Sequence, residues 1–314
     1  MQRKILFLDS AHPLLGEGLE QMGFSCDYAY DWNEDRIRDN LGAYTGVIIR
    51  SKLKFTKELI DKGPHLKFIA RVGSGMENID THYAQSKGID CLHAPEGNRI
   101  AVGEHTLGML LCLFNSICRA DREVRSGKWL REQNRGTEIS GKTIGIIGFG
   151  NTGSAFAGCL SGFDCDILAY DKFKKGFGTD RIRETDLDFL FNNAHVISIH
   201  LPLTAETGYF VNDLFLSRFK KPIVLINTSR GPIVQTEDLV KNMKTGKVTG
   251  ACLDVLEYES VSFENLDNSQ LPEAFQYLIK SDRVVLSPHI AGWTEESKIK
   301  MAQVLLGKIQ RSTS

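Results

Sequence analysis

The string Gly148-Phe149-Gly150-Asn151-Thr152-Gly153 sets three glycines at the spacing of a turn that leads a strand into a helix around a phosphate. The apolar run 143–147 leads directly into it, and Asp171 stands 18 residues after Gly153, at the end of the next apolar run. Each part has its own physical task. Gly148 allows the tight turn, Gly150 lets the backbone approach a pyrophosphate, and Gly153 lets helix and strand pack closely. The helix start offers free N–H groups and the positive end of its dipole to phosphate oxygens. A carboxylate at Asp171 accepts hydrogen bonds from both ribose hydroxyls and repels a 2′-phosphate, so the expected cofactor is NAD rather than NADP. Lys172, Lys174 and Lys175 soften that preference. Phe149, Asn151 and Thr152 belong to the same turn, and Thr228 and Asp254 join the expected cofactor-binding set. The plainer reading is a structural turn beside a surface aspartate. Strand, turn, helix and acid in one register favour the cofactor.

Three later segments also carry chemistry-bearing residues: 227–231 with Arg230, 253–259 with Glu257 and Glu259, and 287–292 with His289. Each leaves the end of an apolar run. In doubly wound sheets the carboxyl ends of the strands form the ligand crevice, so Arg230, Glu259 and His289 can converge on one site.

Those residues need two sheets to hold them. Short apolar runs at 5–8, 47–49 and 68–72 read as buried strands, with helices at 14–22 and 56–61 between them. That alternation implies a parallel sheet flanked by helices. Residues 98–125 read as one long helix capped by Asn98, apolar all round at 107–114 and therefore buried. From Lys142 the alternation restarts, with six strand segments at 143–147, 167–170, 196–200, 223–227, 249–253 and 284–286. Residues 294–309 read as a final helix with Thr294 as cap, packing back near the N-terminal domain. The expected fold is α/β with two doubly wound parallel-sheet domains. A flavodoxin-like substrate domain comprises 1–98 plus 293–314, and a Rossmann NAD-binding domain comprises 99–292.

The chain has 314 residues, 42% hydrophobic and 25% charged, with a net charge of −1. No basic surplus points to nucleic acid or an anionic membrane. The seven cysteines form no CxxC pair, so no metal site is expected, and they read as free thiols in a reducing cytoplasm. The apolar run near Met1 is only four residues long, too short for an export signal, and no run approaches the ~20 residues of a membrane span. His105 reads as a packing residue, and His195 and His200 bracket a strand, with His200 near the cofactor.

With these motifs in order, the chain resembles the D-isomer-specific 2-hydroxyacid dehydrogenases, above all the phosphoglycerate dehydrogenases. The likeness runs through Arg71-Val72-Gly73-Ser74-Gly75 with Asn78-Ile79-Asp80, and through Ala94-Pro95-Glu96-Gly97-Asn98 with Val102-Gly103-Glu104-His105. It continues through 136–142, the glycine turn, 227–231 and 287–292. The resemblance implies an Arg–Glu–His triad at Arg230, Glu259 and His289; Glu259 suits the family position, 29 residues after Arg230. His289 would exchange the hydroxyl proton, Glu259 would hold the imidazole and stabilise its charge, and Arg230 would grip the carboxylate in a bidentate fork. Main-chain N–H groups around Gly73, Ser74 and Gly75 would share that carboxylate. A homodimer formed through about 107–136, including Trp129, is also implied.

Arg50 and Arg71 each end a strand of the first domain, where the resemblance places the residues that hold a substrate phosphate. That makes 3-phospho-D-glycerate the expected substrate, oxidised to 3-phosphohydroxypyruvate at the entry to serine synthesis. Three departures leave room for glyoxylate, hydroxypyruvate or D-lactate. Ser260 replaces a usual proline, 30 residues separate Glu259 from His289, and Trp293 stands where a small residue is common and would line the pocket. The chain ends at Ser314 without the regulatory domain some relatives carry, so feedback through such a domain is not expected. Two rivals share parts of the pattern. A non-catalytic NAD-sensing protein has no need of the triad, and a Rossmann methyltransferase has no need of the three later motifs.

Overall fold

The computed structural model describes residues 3–259 and 272–313; Ser260 and the rest of the segment after Glu259, up to residue 271, lie outside the described residues. The chain divides into two compact units, residues 1–99 with 293–314 and residues 100–292.

The first unit is built on five strands, β1 (Lys4–Phe7), β2 (Ser25–Tyr28), β3 (Gly46–Ile49), β4 (Phe68–Arg71) and β5 (Asp90–His93). They form a wholly parallel sheet in the order β2-β1-β3-β4-β5. This is the flavodoxin-like doubly wound order. Successive side chains of a strand face opposite ways, and both faces are apolar here. Leu6 and Leu8 enter one core with Val47, Ile49 and Ile69, whereas Ile5 and Phe7 enter the other with Ile48, Phe68 and Ala70. The last helix, Glu295–Thr313, belongs to this second core through Met301, Ala302, Leu305 and Ile309. Its start is closed reciprocally: Ser297 N–H donates to Thr294 Oγ1 at 3.0 Å, and Thr294 N–H donates to Ser297 Oγ at 3.2 Å.

The second unit carries β6 (Thr143–Ile147), β7 (Asp166–Tyr170), β8 (Ile182–Glu184), β9 (Val196–Ile199), β10 (Ile223–Asn227), β11 (Val248–Leu253) and β12 (Val284–Leu286). The order is β12-β11-β10-β9-β6-β7-β8, all parallel. The chain winds outward from β6 through β8, then restarts at β9 on the other side of β6. The reversal between β6 and β9 is the switch point at which such sheets bind ligands. Ile144 and Ile146 face one core and Ile147 the other, each layer closed by helices. Replacing one of these fully buried isoleucines by alanine removes contacts that typically hold about 2–5 kcal/mol.

The single helix expected over 98–125 is two helices, Arg99–Phe114 and Ile117–Arg125, bent by 59° at the break. Ser116 sits at the break with a φ of 52°. A left-handed residue cannot continue a right-handed helix, and neither proline nor glycine announces this one. Asn98 does not cap this helix start by its side chain; its Oδ1 accepts from Ser74 Oγ at 2.7 Å. No single helix among the described residues is long and apolar enough to cross a membrane.

Candidate active site

The glycine turn is shaped as its chemistry requires. A Cβ on Gly148, whose φ is +92°, would meet His200 O at 2.3 Å, and one on Gly153 would meet Gly148 O at 2.0 Å. A Cβ on Gly150 would meet nothing within 4 Å. Two glycines are thus demanded by the protein's own packing, and the middle one faces open space where a pyrophosphate can approach the backbone. The helix Asn151–Cys159 begins directly after Gly150. Among the described residues, the first-turn N–H groups of Asn151, Thr152 and Gly153 have no backbone acceptor. The turn therefore fits a dinucleotide phosphate.

Asp171 is fastened to this turn. Its Oδ2 accepts from Phe149 N–H at 2.8 Å, and its Oδ1 accepts from Phe173 and Lys174 N–H, each at 2.9 Å. Burial pushes the Asp171 carboxyl up, but these three N–H groups and the Lys174 charge outweigh it and hold the group below its ordinary value. Phe149 was expected to bind the cofactor. Its N–H is committed to Asp171, and its buried ring stacks on Phe177 at 4.4 Å, so it shapes the turn. Thr228 is buried, with its hydroxyl 3.1 Å from Thr106 Oγ1. His200, the first residue after β9, is buried between Ser198 Oγ at 2.8 Å and Thr152 Oγ1 at 3.2 Å. Burial drives its imidazole down to about 3, so it is neutral at pH 7.

The loops after β10, β11 and β12 hold the three expected catalytic residues. After β10, Asn227 Oδ1 accepts from Ser229 N–H at 3.0 Å and its Nδ2 donates to Arg230 O at 2.9 Å, folding the loop so that Arg230 leaves its end half-buried. Arg230 Nη1 donates to Ser229 O at 2.7 Å. Gly231 follows because the loop runs against the one after β11: a Cβ there would lie 1.8 Å from Leu256 O.

Glu259 and His289 meet, with Nδ1 2.5 Å from Oε1. A carboxylate only accepts, so Nδ1 carries the hydrogen and Nε2 is the nitrogen left for proton exchange. The histidine side chain is 46% exposed and the glutamate 33%, so the pair remains open to a ligand. Glu257 is elsewhere. Its Oε1 accepts from the Tyr209 hydroxyl and its Oε2 from Thr236 N–H, both at 2.7 Å, so it closes the start of helix Thr236–Lys244.

His289 has a φ of 54°, a conformation side chains disfavour. The backbone is held there by Asp254. His289 N–H donates to Asp254 O at 2.7 Å, while Ile290 and Ala291 N–H donate to the Asp254 carboxylate at 2.9 Å each. Ser287 Oγ donates to Oδ1 at 2.6 Å. Burial raises the Asp254 carboxyl, yet hydrogen bonds from His105, Ser287, Ala291 and Ile290 prevail and hold it below its ordinary value. Asp254 was expected to contact the cofactor; its side chain is instead fully enclosed and braces the histidine loop. His105, expected only to pack, is bonded to Ser287 Oγ at 3.0 Å. Its signal in the sequence was a polar side chain next to the apolar stretch of that helix.

In the first unit, Arg71 Nε donates to Arg50 O at 2.9 Å and its Nη1 to Gly75 O at 2.7 Å, so this guanidinium braces the loops after β3 and β4. Gly73 N–H, expected to meet a carboxylate, donates to Arg71 O at 2.9 Å. The N–H groups of Ser74 and Gly75 have no partner among the described residues. Lys52 reaches Ala29 O and Tyr30 O and is structural. The Arg50 guanidinium lies over the Trp293 ring, 4.7 Å from its centroid, and makes no hydrogen bond or ion pair with the described residues. Its in-plane N–H groups remain free. Among the described residues no cluster of three or more His, Cys, Asp or Glu side chains is placed to hold a metal.

Residues 107–291 match the model of the D-isomer specific 2-hydroxyacid dehydrogenase NAD-binding domain. A D-3-phosphoglycerate dehydrogenase of Synechocystis sp. is 36% identical over 96% of this chain, which spans about half, 55%, of that relative's length. A glyoxylate reductase of Thermofilum pendens is 36% identical over 91% of this chain and 85% of its own. Among solved structures, D-lactate dehydrogenase from Aquifex aeolicus, complexed with NAD and lactic acid, aligns over 99% of this chain and 95% of its own, with a TM-score of 0.83 and 27% identity. The family model covers more than half of the chain and the glyoxylate reductase is 36% identical over most of its own length, so the chain belongs to the D-isomer specific 2-hydroxyacid dehydrogenases.

Proposed function

We propose that this protein is an NAD-dependent oxidoreductase that interconverts a D-2-hydroxy acid and its 2-keto acid. The observation that carries this reading is the His289–Glu259 pair, with Nδ1 held at 2.5 Å and Nε2 left for substrate. Bound NAD accepts or supplies the hydride. The chain's own residues do the rest. Arg230 holds the substrate carboxylate as a fork. His289 Nε2 takes the hydroxyl proton in oxidation and returns it in reduction. Glu259 keeps the tautomer and stabilises the imidazolium while it lasts. NADH oxidation measured over a panel of 2-keto acids at fixed pH tests the assignment; no turnover of any of them would leave a non-catalytic NAD-binding role.

For the substrate, 3-phospho-D-glycerate is the best reading, which would place the enzyme at the entry to serine synthesis. Its support is Arg50, a stacked guanidinium with unshared N–H groups, suited to a second anionic group. A second reading, a smaller acid such as glyoxylate, hydroxypyruvate or D-lactate, draws support from Arg71, whose guanidinium is engaged by two carbonyls. Comparing kcat/KM for phosphohydroxypyruvate and hydroxypyruvate separates them.

Asp171 supports NAD over NADP. A homodimer is the assembly that exposed Ile117, Val124, Trp129 and Leu130 favour, since these apolar groups lie together in chain order after the helix break. Light scattering at micromolar concentration checks it. Seven free cysteines support a cytoplasmic setting.

A further inference from the structure

We propose that His105 is a positioning residue for the catalytic histidine, acting through Ser287 and Asp254. The inference rests on the activity proposed above. It starts from proton bookkeeping in a chain of three side chains. Ser287 has one hydroxyl hydrogen and three groups within reach that could accept it, Asp254 Oδ1 at 2.6 Å, His105 Nε2 at 3.0 Å in one of its tautomers and Met109 Sδ at 3.7 Å. The carboxylate is nearer, charged and far the stronger acceptor, so the hydrogen lies on that bond. Ser287 Oγ can then only accept at its contact with His105 Nε2, 3.0 Å away. His105 therefore carries a hydrogen on Nε2. The same nitrogen lies 3.5 Å from Asp254 Oδ1, so its N–H also faces the carboxylate.

From Asp254 the chain runs straight to the reacting group. The carboxylate takes the N–H groups of Ile290 and Ala291, and its backbone carbonyl takes that of His289. These bonds oppose the strain of the left-handed His289 backbone. His105 sits on helix Arg99–Phe114, not on any of the three catalytic loops, and fixes from outside the rotamer of the serine that completes the Asp254 shell. Without the His105 N–H, Ser287 Oγ is free to rotate toward Met109 Sδ. Asp254 would then lose a donor, and the loop carrying His289 would lose definition relative to Glu259.

The test uses His105→Leu, which removes the donor, and His105→Gln, whose amide N–H can replace Nε2. His105→Leu is expected to lower kcat about tenfold with little change in KM for NADH. His105→Gln is expected to recover most of kcat. Ser287→Ala breaks the same link from the other side, so the double variant with His105→Leu should be no worse than the poorer single. Equal losses in Leu and Gln, a Leu variant with parental kcat, or an effect confined to KM for NADH would each overturn the proposal. Nitrogen-15 NMR of the imidazoles adds a readout independent of turnover. A neutral His105 with its hydrogen on Nδ1 refutes the chain of bonds even if no 2-keto acid is reduced, whereas Nε2–H together with an inactive parent condemns only the proposed activity.

Discussion

Phe149 N–H donates to Asp171 Oδ2 at 2.8 Å, so the acid expected to read the ribose is also a brace of the phosphate-binding turn. Asp171→Asn should keep part of the brace and lose the charge. Its preference for NAD over NADP, at least tenfold in the parent, should shrink. Asp171→Ala should raise KM for both cofactors, because three N–H donors of the turn and the following loop lose their acceptor at once. Steady-state kinetics with both cofactors decide this, and equal use of NAD and NADP by the parent would count against the assignment.

Substitution of His289 is a separate matter. His289→Ala should lower kcat by roughly 10²–10⁴-fold with folding intact, the usual range for general acid–base catalysis. Glu259→Gln should lower kcat by less than His289→Ala does, since the imidazole loses the acceptor of its Nδ1–H but stays in place. Glu257→Gln is the internal control. It should leave kcat nearly unchanged and cost about 1 kcal/mol of stability, because its bonds go to Tyr209 and Thr236. A loss of kcat in Glu257→Gln, with none in Glu259→Gln, would reverse the roles.

Acid should destabilise the cofactor unit through His200. Its folded value is about 3 against an ordinary 6.5, and burial is the cause. Between those two pH values the unfolded chain binds a proton that the folded one refuses. Its contribution is therefore complete above about pH 6.5 and is lost as pH falls toward 3, at a slope of at most ~1.4 kcal/mol per pH unit from this one group. Urea unfolding at pH 7 and pH 4.5 should show a smaller drop for His200→Gln than for the parent. Parallel curves would mean that the imidazole is not held neutral.

The two arginines of the first unit should part company. Arg71→Ala should lower Tm, because Arg50 O and Gly75 O lose their donors, at a cost of about 1–3 kcal/mol. Arg50→Ala should leave Tm nearly unchanged and reduce kcat/KM selectively for a phosphorylated acid. Trp293→Ala should act in the same direction by freeing the guanidinium from its ring. A phosphorylated acid unaffected by Arg50→Ala would remove Arg50 from the substrate.

Both sheets were legible through their apolar cores, and the places where reading failed share a physical cause. β2 (Ser-Cys-Asp-Tyr), β5 and β8 lie at sheet edges and carry polar or half-exposed side chains, so they lack the apolar run that marks β1 or β10. The helix break at Ser116 has no local signal. At the candidate site, residue types and strand-end positions singled out Arg230, His289 and two glutamates, and the family resemblance chose Glu259 over Glu257. They did not announce which polar atoms the protein would use on itself. Asp254, Phe149, Gly73 and Lys52 all present groups that suit a ligand, and the fold engages each of them internally. Apart from Gly73, whose acceptor is two residues back, such engagement depends on partners tens of residues away, as with Ser287 and Asp254.

The contact at Gly231 has a mechanical consequence. With Leu256 O where a side chain would begin, the loop bearing Arg230 and the loop leading to Glu259 are pressed together without slack. His289 is tied to the second of these through Asp254. Arg230, His289 and Glu259 are therefore mounted on a single stiff plate. Whatever motion admits a substrate must carry that plate whole, and thermal displacement of the three residues should be correlated rather than independent.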